Sequence, residues 1–83
     1  MTSTTCCIKT VDLPATGRHI RALMADCHYT VKGMAYALCR SEGAVKNYLR
    51  GRNLPPVECL FAMRLLFHLD TMEELIIWKD GPQ

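Results

Sequence analysis

Glu42, Gly43, Lys46, Asn47 and Arg50 fall within one short stretch of sequence. Their spacing puts them on the outer side of a helix whose other side carries Val45, Tyr48 and Leu49. No nucleophile–base pair, carboxylate pair or phosphate-cradling glycine loop accompanies them, so enzymatic chemistry is not expected. A helix that is apolar inside and short, polar and basic outside suits a different task. It can lie in the major groove of DNA, where amides and cations meet base edges and phosphates.

The elements that must position this helix are legible on either side of it. Ser41 is a candidate N-cap for it, and Gly51 is the expected glycine just past its end. Upstream, Thr30 is a candidate N-cap for a helix with Val31, Met34, Ala35 and Leu38 on one face. Only Cys39 and Arg40 separate the two helices. A joint that short forces a steep crossing, which is the helix-turn-helix arrangement.

The chain has 83 residues, which predicts one domain with a modest core. Its hydrophobic content of 49% belongs to a globular chain. The net charge of +2 conceals an asymmetry. Arg18, Arg21, Lys32, Arg40, Lys46, Arg50 and Arg52 face only Asp26 and Glu42 over residues 18–52, whereas acids outnumber bases from Asn53 onward. That polarity suits a polyanion on one side and another contact on the other; the plainer reading is chance clustering on a solvated surface.

No signal peptide is legible. The most apolar run, Leu60 to Leu69, is too short to span a bilayer and is interrupted by Arg64, so a cytoplasmic protein without a membrane partner is expected. The five cysteines show no metal-ligand spacing, so neither a metal nor any other cofactor is expected. Cys27 and Cys59 fall on apolar faces, where a free thiol acts as a small buried hydrophobe. His19 and His28 read as surface residues, and His68 as lying at a helix end.

Residues 1–14 read as an arm, either disordered or a strand, with a β-prone piece from Ile8 to Leu13 that could pair with another chain. Pro14 reads as a break, and residues 15–79 as the folded domain. The first helix is expected to start at Thr16 or Gly17 and run to about Cys27, burying Ile20, Leu23, Met24 and Cys27. Gly33 is a local weakness in the second helix, roughly 1 kcal/mol against alanine, unless it allows close packing. Pro55-Pro56 opens a fourth helix that is apolar nearly all round, predicting a central core helix with any leftover face at an interface. Thr71-Met72-Glu73-Glu74 has the form of a capping box and predicts a fifth helix with Met72, Leu75 and Ile76 inward. The expectation is a compact, all-α, five-helix domain.

From Ile20 to Leu75 the sequence resembles the lambda-repressor-like, or Cro/XRE, DNA-binding domain. Three features carry the resemblance. Thr30 with Met34-Ala35 matches a capped second helix with a Leu-Ala pair. Ser41 to Gly51 matches a capped recognition helix ending in glycine. Arg52 to Leu75 matches through Pro55, Glu58, Leu60, Leu69 and Glu73-Glu74-Leu75. The resemblance implies a five-helix fold, sequence-specific binding of double-stranded DNA by a small transcription regulator, and a homodimer. By the family's pattern Glu42, Gly43, Ala44 and Asn47 would meet bases. Lys32, Lys46, Arg50, Arg52 and the helix N-termini capped by Thr30 and Ser41 would hold phosphates.

Several positions depart from the pattern. Cys39 stands where the turn has glycine, at a position that is usually left-handed, and Arg40 stands where the next residue is apolar. Val31 replaces a glutamine. Met24 and Leu49 replace a charged pair, which predicts a contact between them, since exchanging both partners for apolar groups can be neutral or stabilising. Glu42 reads equally well as a first-turn acid that stabilises its own helix. Asn47 also reads as a solvated helix residue. Leu69, Met72, Ile76 and Trp78 are candidate dimer contacts; Trp78 could instead cap the monomer core. The alternative function is a protein-interaction module, antitoxin-like or phage-encoded, built on the same fold.

Overall fold

A computed structural model describes residues 9–80 of the chain. The elements run β1 (Lys9–Val11), α1 (Leu13–Asp26), α2 (Val31–Leu38), α3 (Glu42–Arg50), α4 (Val57–Leu66), a 3-10 turn (Met72–Leu75) and β2 (Trp78–Asp80). Among the described residues the expected all-α, five-helix count becomes four α-helices, one 3-10 turn and a small antiparallel strand pair. β1 and β2 pair in the register Lys9 with Asp80, Thr10 with Lys79 and Val11 with Trp78. The β-prone end of the arm thus finds its strand partner within the chain; residues 1–8 lie outside the described residues.

Pro14 does not break the chain but lies in the first turn of α1, where a missing N–H costs nothing. The helix starts at Leu13 because Asp12 caps it, accepting from the Ala15 N–H at 3.1 Å. Gly17, expected near the helix start, is instead buried within the helix at its crossing with α3. A Cβ there would lie 2.8 Å from the Tyr48 carbonyl oxygen and closer still to that of Leu49. Gly33 has no such role: a Cβ on it would meet only the Thr30 hydroxyl, at 3.2 Å.

The fifth helix fails to propagate for a tertiary reason. Glu74 accepts from the backbone N–H groups of Asp70 (2.8 Å) and Thr71 (2.9 Å), so the start signal works. Two residues beyond the turn, however, Ile77 is captured by α1. Its N–H donates to Thr16 Oγ1 at 3.0 Å, and its carbonyl accepts from the Thr16 hydroxyl and from the Asp12 N–H at 2.8 Å. β-Branched Ile76 and Ile77 take the extended path readily, and β2 follows. His19 Nε2 adds a 2.7 Å hydrogen bond to the Glu74 carbonyl.

One core unites the helices. It contains Ile20 and Met24 from α1, Met34, Ala35 and Leu38 from α2, Val45, Tyr48 and Leu49 from α3, Cys59, Leu60 and Met63 from α4, and then Phe67 and Leu75. Met24 and Leu49, expected as partners, are both buried in this cluster at 4% and 5% exposure. Met72 and Ile76 are half-buried against it, and Leu75 is fully buried. Tyr29 packs edge-on against Phe67, closing the core beside the end of α1. Among the described residues no helix is long and apolar enough to cross a membrane.

The close approach at Gly17 and the ordinary space at Gly33 give opposite expectations. Gly17→Ala is expected to lose about 3 kcal/mol or more in urea denaturation, because backbone must move. Gly33→Ala is expected to change stability by less than about 1 kcal/mol. Equal effects at the two positions would show that the α1–α3 spacing is not held by Gly17.

Candidate nucleic-acid interface

Both helices of the central pair start as their sequences require. Thr30 Oγ1 accepts from the Gly33 N–H at 3.0 Å, and Ser41 Oγ accepts from the Ala44 N–H at 3.1 Å. Each hydroxyl satisfies one N–H of an open helix end, and the remaining first-turn N–H groups keep their partial positive charge. Both caps are exposed.

The turn between the helices is made by Cys39 in the left-handed region, at φ 56°. Its N–H reaches the Tyr36 carbonyl at 3.2 Å, and the Arg40 N–H reaches that of Ala35 at 2.9 Å. This paired closure is the Schellman arrangement. It places a cysteine where glycine carries no penalty. The same closure ends α3 at Gly51, φ 79°, where a Cβ would fall 2.6 Å from the backbone of Pro14. It also ends α1 at His28, φ 61°, and α4 at His68, φ 59°. The two histidines are thus turn-forming residues. Histidine is enriched among non-glycine residues with positive φ, a signal that could have found them.

Helix α3 buries Val45, Tyr48 and Leu49 and turns its other side outward. Glu42, Gly43, Lys46 and Arg50 are exposed, while Ala44 and Asn47 are half-buried. Lys32, in the first turn of α2, and Arg52, just past α3, are exposed as well. The expected base-facing and phosphate-facing side chains therefore lie on the free side of α3 and at its approaches. Asn47 is set deeper than Lys46 and Arg50.

Arg40 departs from the basic set. Its guanidinium pairs with Glu58 on α4, and its Nε donates to Cys59 Sγ at 3.3 Å. The hydrogen bond to Cys59 is the main cause that holds the Arg40 pKa above its ordinary value; burial acts against it and Glu58 adds to it. Both ends of the pair are solvated, so its contribution to stability is small. Its consequence is directional: the cation is committed to α4, across a groove of about 400 Å³ lined by Cys39, Glu58 and Ala62 among others. Cys59 is buried and Cys27 half-buried, as free thiols on apolar faces should be, and Cys39 is exposed. Among the described residues, no group of three or more His, Cys, Asp or Glu could hold a metal ion.

Two solved structures share this architecture. One is the restriction-modification controller protein C.AhdI from Aeromonas hydrophila, with a TM-score of 0.68 and 17% identity, over 77% of this chain and 96% of that one. The domain has the lambda-repressor-like helix-turn-helix fold. The clp gene regulator ClgR from C. glutamicum superposes with a TM-score of 0.63 and 24% identity, over 75% of this chain and 79% of that one. No protein-family model matches the sequence, and no curated protein does.

The left-handed cysteine generates a stability test. Cys39→Gly is expected to raise stability by about 1 kcal/mol in chemical denaturation, because the side chain is exposed and the conformation disfavours a Cβ. A loss of stability would mean that the thiol makes a contact outweighing the backbone strain.

Proposed function

We propose that the protein is a small transcription regulator that binds double-stranded DNA sequence-specifically, with α3 in the major groove. The observation that carries this reading is the two-sidedness of α3: Val45, Tyr48 and Leu49 are buried, while Glu42, Gly43, Lys46 and Arg50 are free on a capped, basic helix. The two fold neighbours, a controller protein and a gene regulator, support it. The reading assigns no enzymatic role and a cytoplasmic setting.

In this reading Lys32, Lys46, Arg50 and Arg52 hold phosphates, with the N–H groups at the N-termini that Thr30 and Ser41 cap. Asn47 reads adenine through a bidentate contact, and Glu42 accepts from a cytosine amino group. Gly43 and Ala44 offer only small apolar surface, suited to a thymine methyl group. Base reading is therefore sparse, and the backbone supplies most of the affinity. The active form is a homodimer, with Leu69, Met72, Ile76 and Trp78 among its candidate contacts. A two-fold dimer reads a roughly palindromic site with half-sites about one helical turn apart. The mechanism is occlusion or positioning at a promoter.

Fluorescence anisotropy against duplexes tiled from the gene's own upstream region tests the proposal. One duplex should bind far more tightly than the rest, with affinity falling steeply as salt rises. A Lys46→Ala/Arg50→Ala double variant should bind every duplex more weakly and with a shallower salt slope. Equal weak binding to all duplexes would reduce the interface to general electrostatics.

A second reading is a protein-interaction module on the same fold. It is favoured by the large apolar side chains left open on the helices, Tyr36 at 86% exposure and Val57 at 69%. No duplex binding at low salt, together with a stable complex with a host protein, would select it.

A further inference from the structure

Two cysteines line the one groove between α2 and α4. Cys39 makes the α2–α3 turn and is exposed, whereas Cys59, in the first turn of α4, is 2% exposed. Leu38 and Ala62 form apolar parts of the lining, and Arg40 and Glu58 the charged part. Arg40 links the two thiol positions. It follows Cys39 in the chain, and its Nε donates to Cys59 Sγ at 3.3 Å. Adjacent Cα atoms are about 3.8 Å apart, so anchoring Arg40 on α4 also holds the Cys39 backbone near that helix. Cys27, at the end of α1, is not in the lining.

The surroundings differ from those of an inert structural thiol, which lies among apolar groups only. Reactive cysteines are partly open to solvent and sit beside cations. Here one sulfur belongs to an exposed residue, and the other touches a guanidinium. The Cys39 side chain is also kept at a left-handed position, φ 56°, at a backbone cost that glycine would not carry. We propose that Cys39 and Cys59 form a reversible oxidation site, closed to an intramolecular disulfide by a hydroperoxide such as hydrogen peroxide.

The oxidant meets Cys39 first, because Cys59 is covered. The Cys39 sulfur attacks one peroxide oxygen, the O–O bond breaks, and the other oxygen leaves as water with the thiol proton. This makes a sulfenic acid on Cys39. The Cys59 sulfur then attacks the Cys39 sulfur, the S–O bond breaks, and a second water leaves with the Cys59 proton. Two thiols and one hydrogen peroxide thus become one disulfide and two waters, the peroxide taking up the two electrons. The bond removes the Cys59 sulfur from Arg40 and ties the α2–α3 turn to α4. The loop it closes contains all of α3. In a reducing compartment such a bond is transient, formed under oxidant and undone by thiols.

A disulfide requires Cα atoms within about 7 Å of each other, so peptide mapping tests directly whether the two sulfurs meet. The reduced full chain is treated with an equivalent of hydrogen peroxide, alkylated and digested with trypsin. Cys39 and Cys59 fall in separate peptides, residues 33–40 and 53–64. Their linked pair is expected as the main oxidised product, formed at a rate independent of protein concentration and lost on adding dithiothreitol. Cys27→Ser should leave the linked pair unchanged. Cys39→Ser, at an exposed position, should abolish it and leave Cys59 open to alkylation once the chain is unfolded. Three results would each overturn the inference: Cys59 still alkylated after Cys39 has been fully oxidised, linkage chiefly through Cys6, Cys7 or Cys27, or disulfide-bonded dimers as the main product. Duplex binding plays no part in the readout, so this site and the regulator reading fail separately.

Discussion

The position of the exposed helix α3 depends on one backbone contact. At Gly17, α1 comes so close to the carbonyls of Tyr48 and Leu49 that no side chain fits between them. A contact of this kind is short-range and stiff, unlike one between long side chains that can adjust. It fixes the depth at which α3 sits, and therefore how far Lys46 and Arg50 stand out from the surface. Gly51 repeats the device at the end of α3, where its missing Cβ makes room for Pro14 at the start of α1. The two helices are thus held together at two glycines, with Ile20, Met24, Val45 and Leu49 in the shared core.

The second constraint is the abrupt ending of each helix. All four α-helices stop at a left-handed residue, and only one of the four is glycine. Three small conformational costs are accepted at His28, Cys39 and His68 so that the chain can reverse within two residues. The return is directional control, since each closure sends the chain back over the core at once. At Cys39 this sets the crossing of α2 and α3, and Arg40 then ties the turn to α4 through Glu58 and Cys59. A cation in a turn thus serves as an intramolecular brace, although charge counting alone would place it among the residues available to a polyanion.

Charge and apolar surface divide the molecule into two faces. The free side of α3 is polar and basic, and the free side of α4 is apolar with a charged border. A core of this extent leaves little stability in reserve.

Much of this was determined by local sequence. Thr30 and Ser41 cap their helices because a hydroxyl there satisfies an otherwise open N–H. The apolar spacing of Met34, Ala35 and Leu38, and of Val45, Tyr48 and Leu49, puts each set inside. The steep crossing of α2 and α3 follows from the two-residue joint, and the left-handed position at Cys39 is what the resemblance implies for that turn. These are short-range effects, decided within a few residues. The fate of the C-terminal segment was not. Its capping residues favour a helix, yet only one 3-10 turn forms, because Thr16 and Asp12, about sixty residues earlier, bind the backbone of Ile77 and direct the chain into β2 just beyond it. The role of Gly17 was equally hidden, since a glycine's neighbours in space leave no mark on its neighbours in sequence. The apolar row on α4 follows the same logic. Its composition marks a central core helix with any leftover face at an interface, and only the packing decided that Val57, Phe61 and Leu65 would be the ones left uncovered, because one side of a helix suffices to close a core this small.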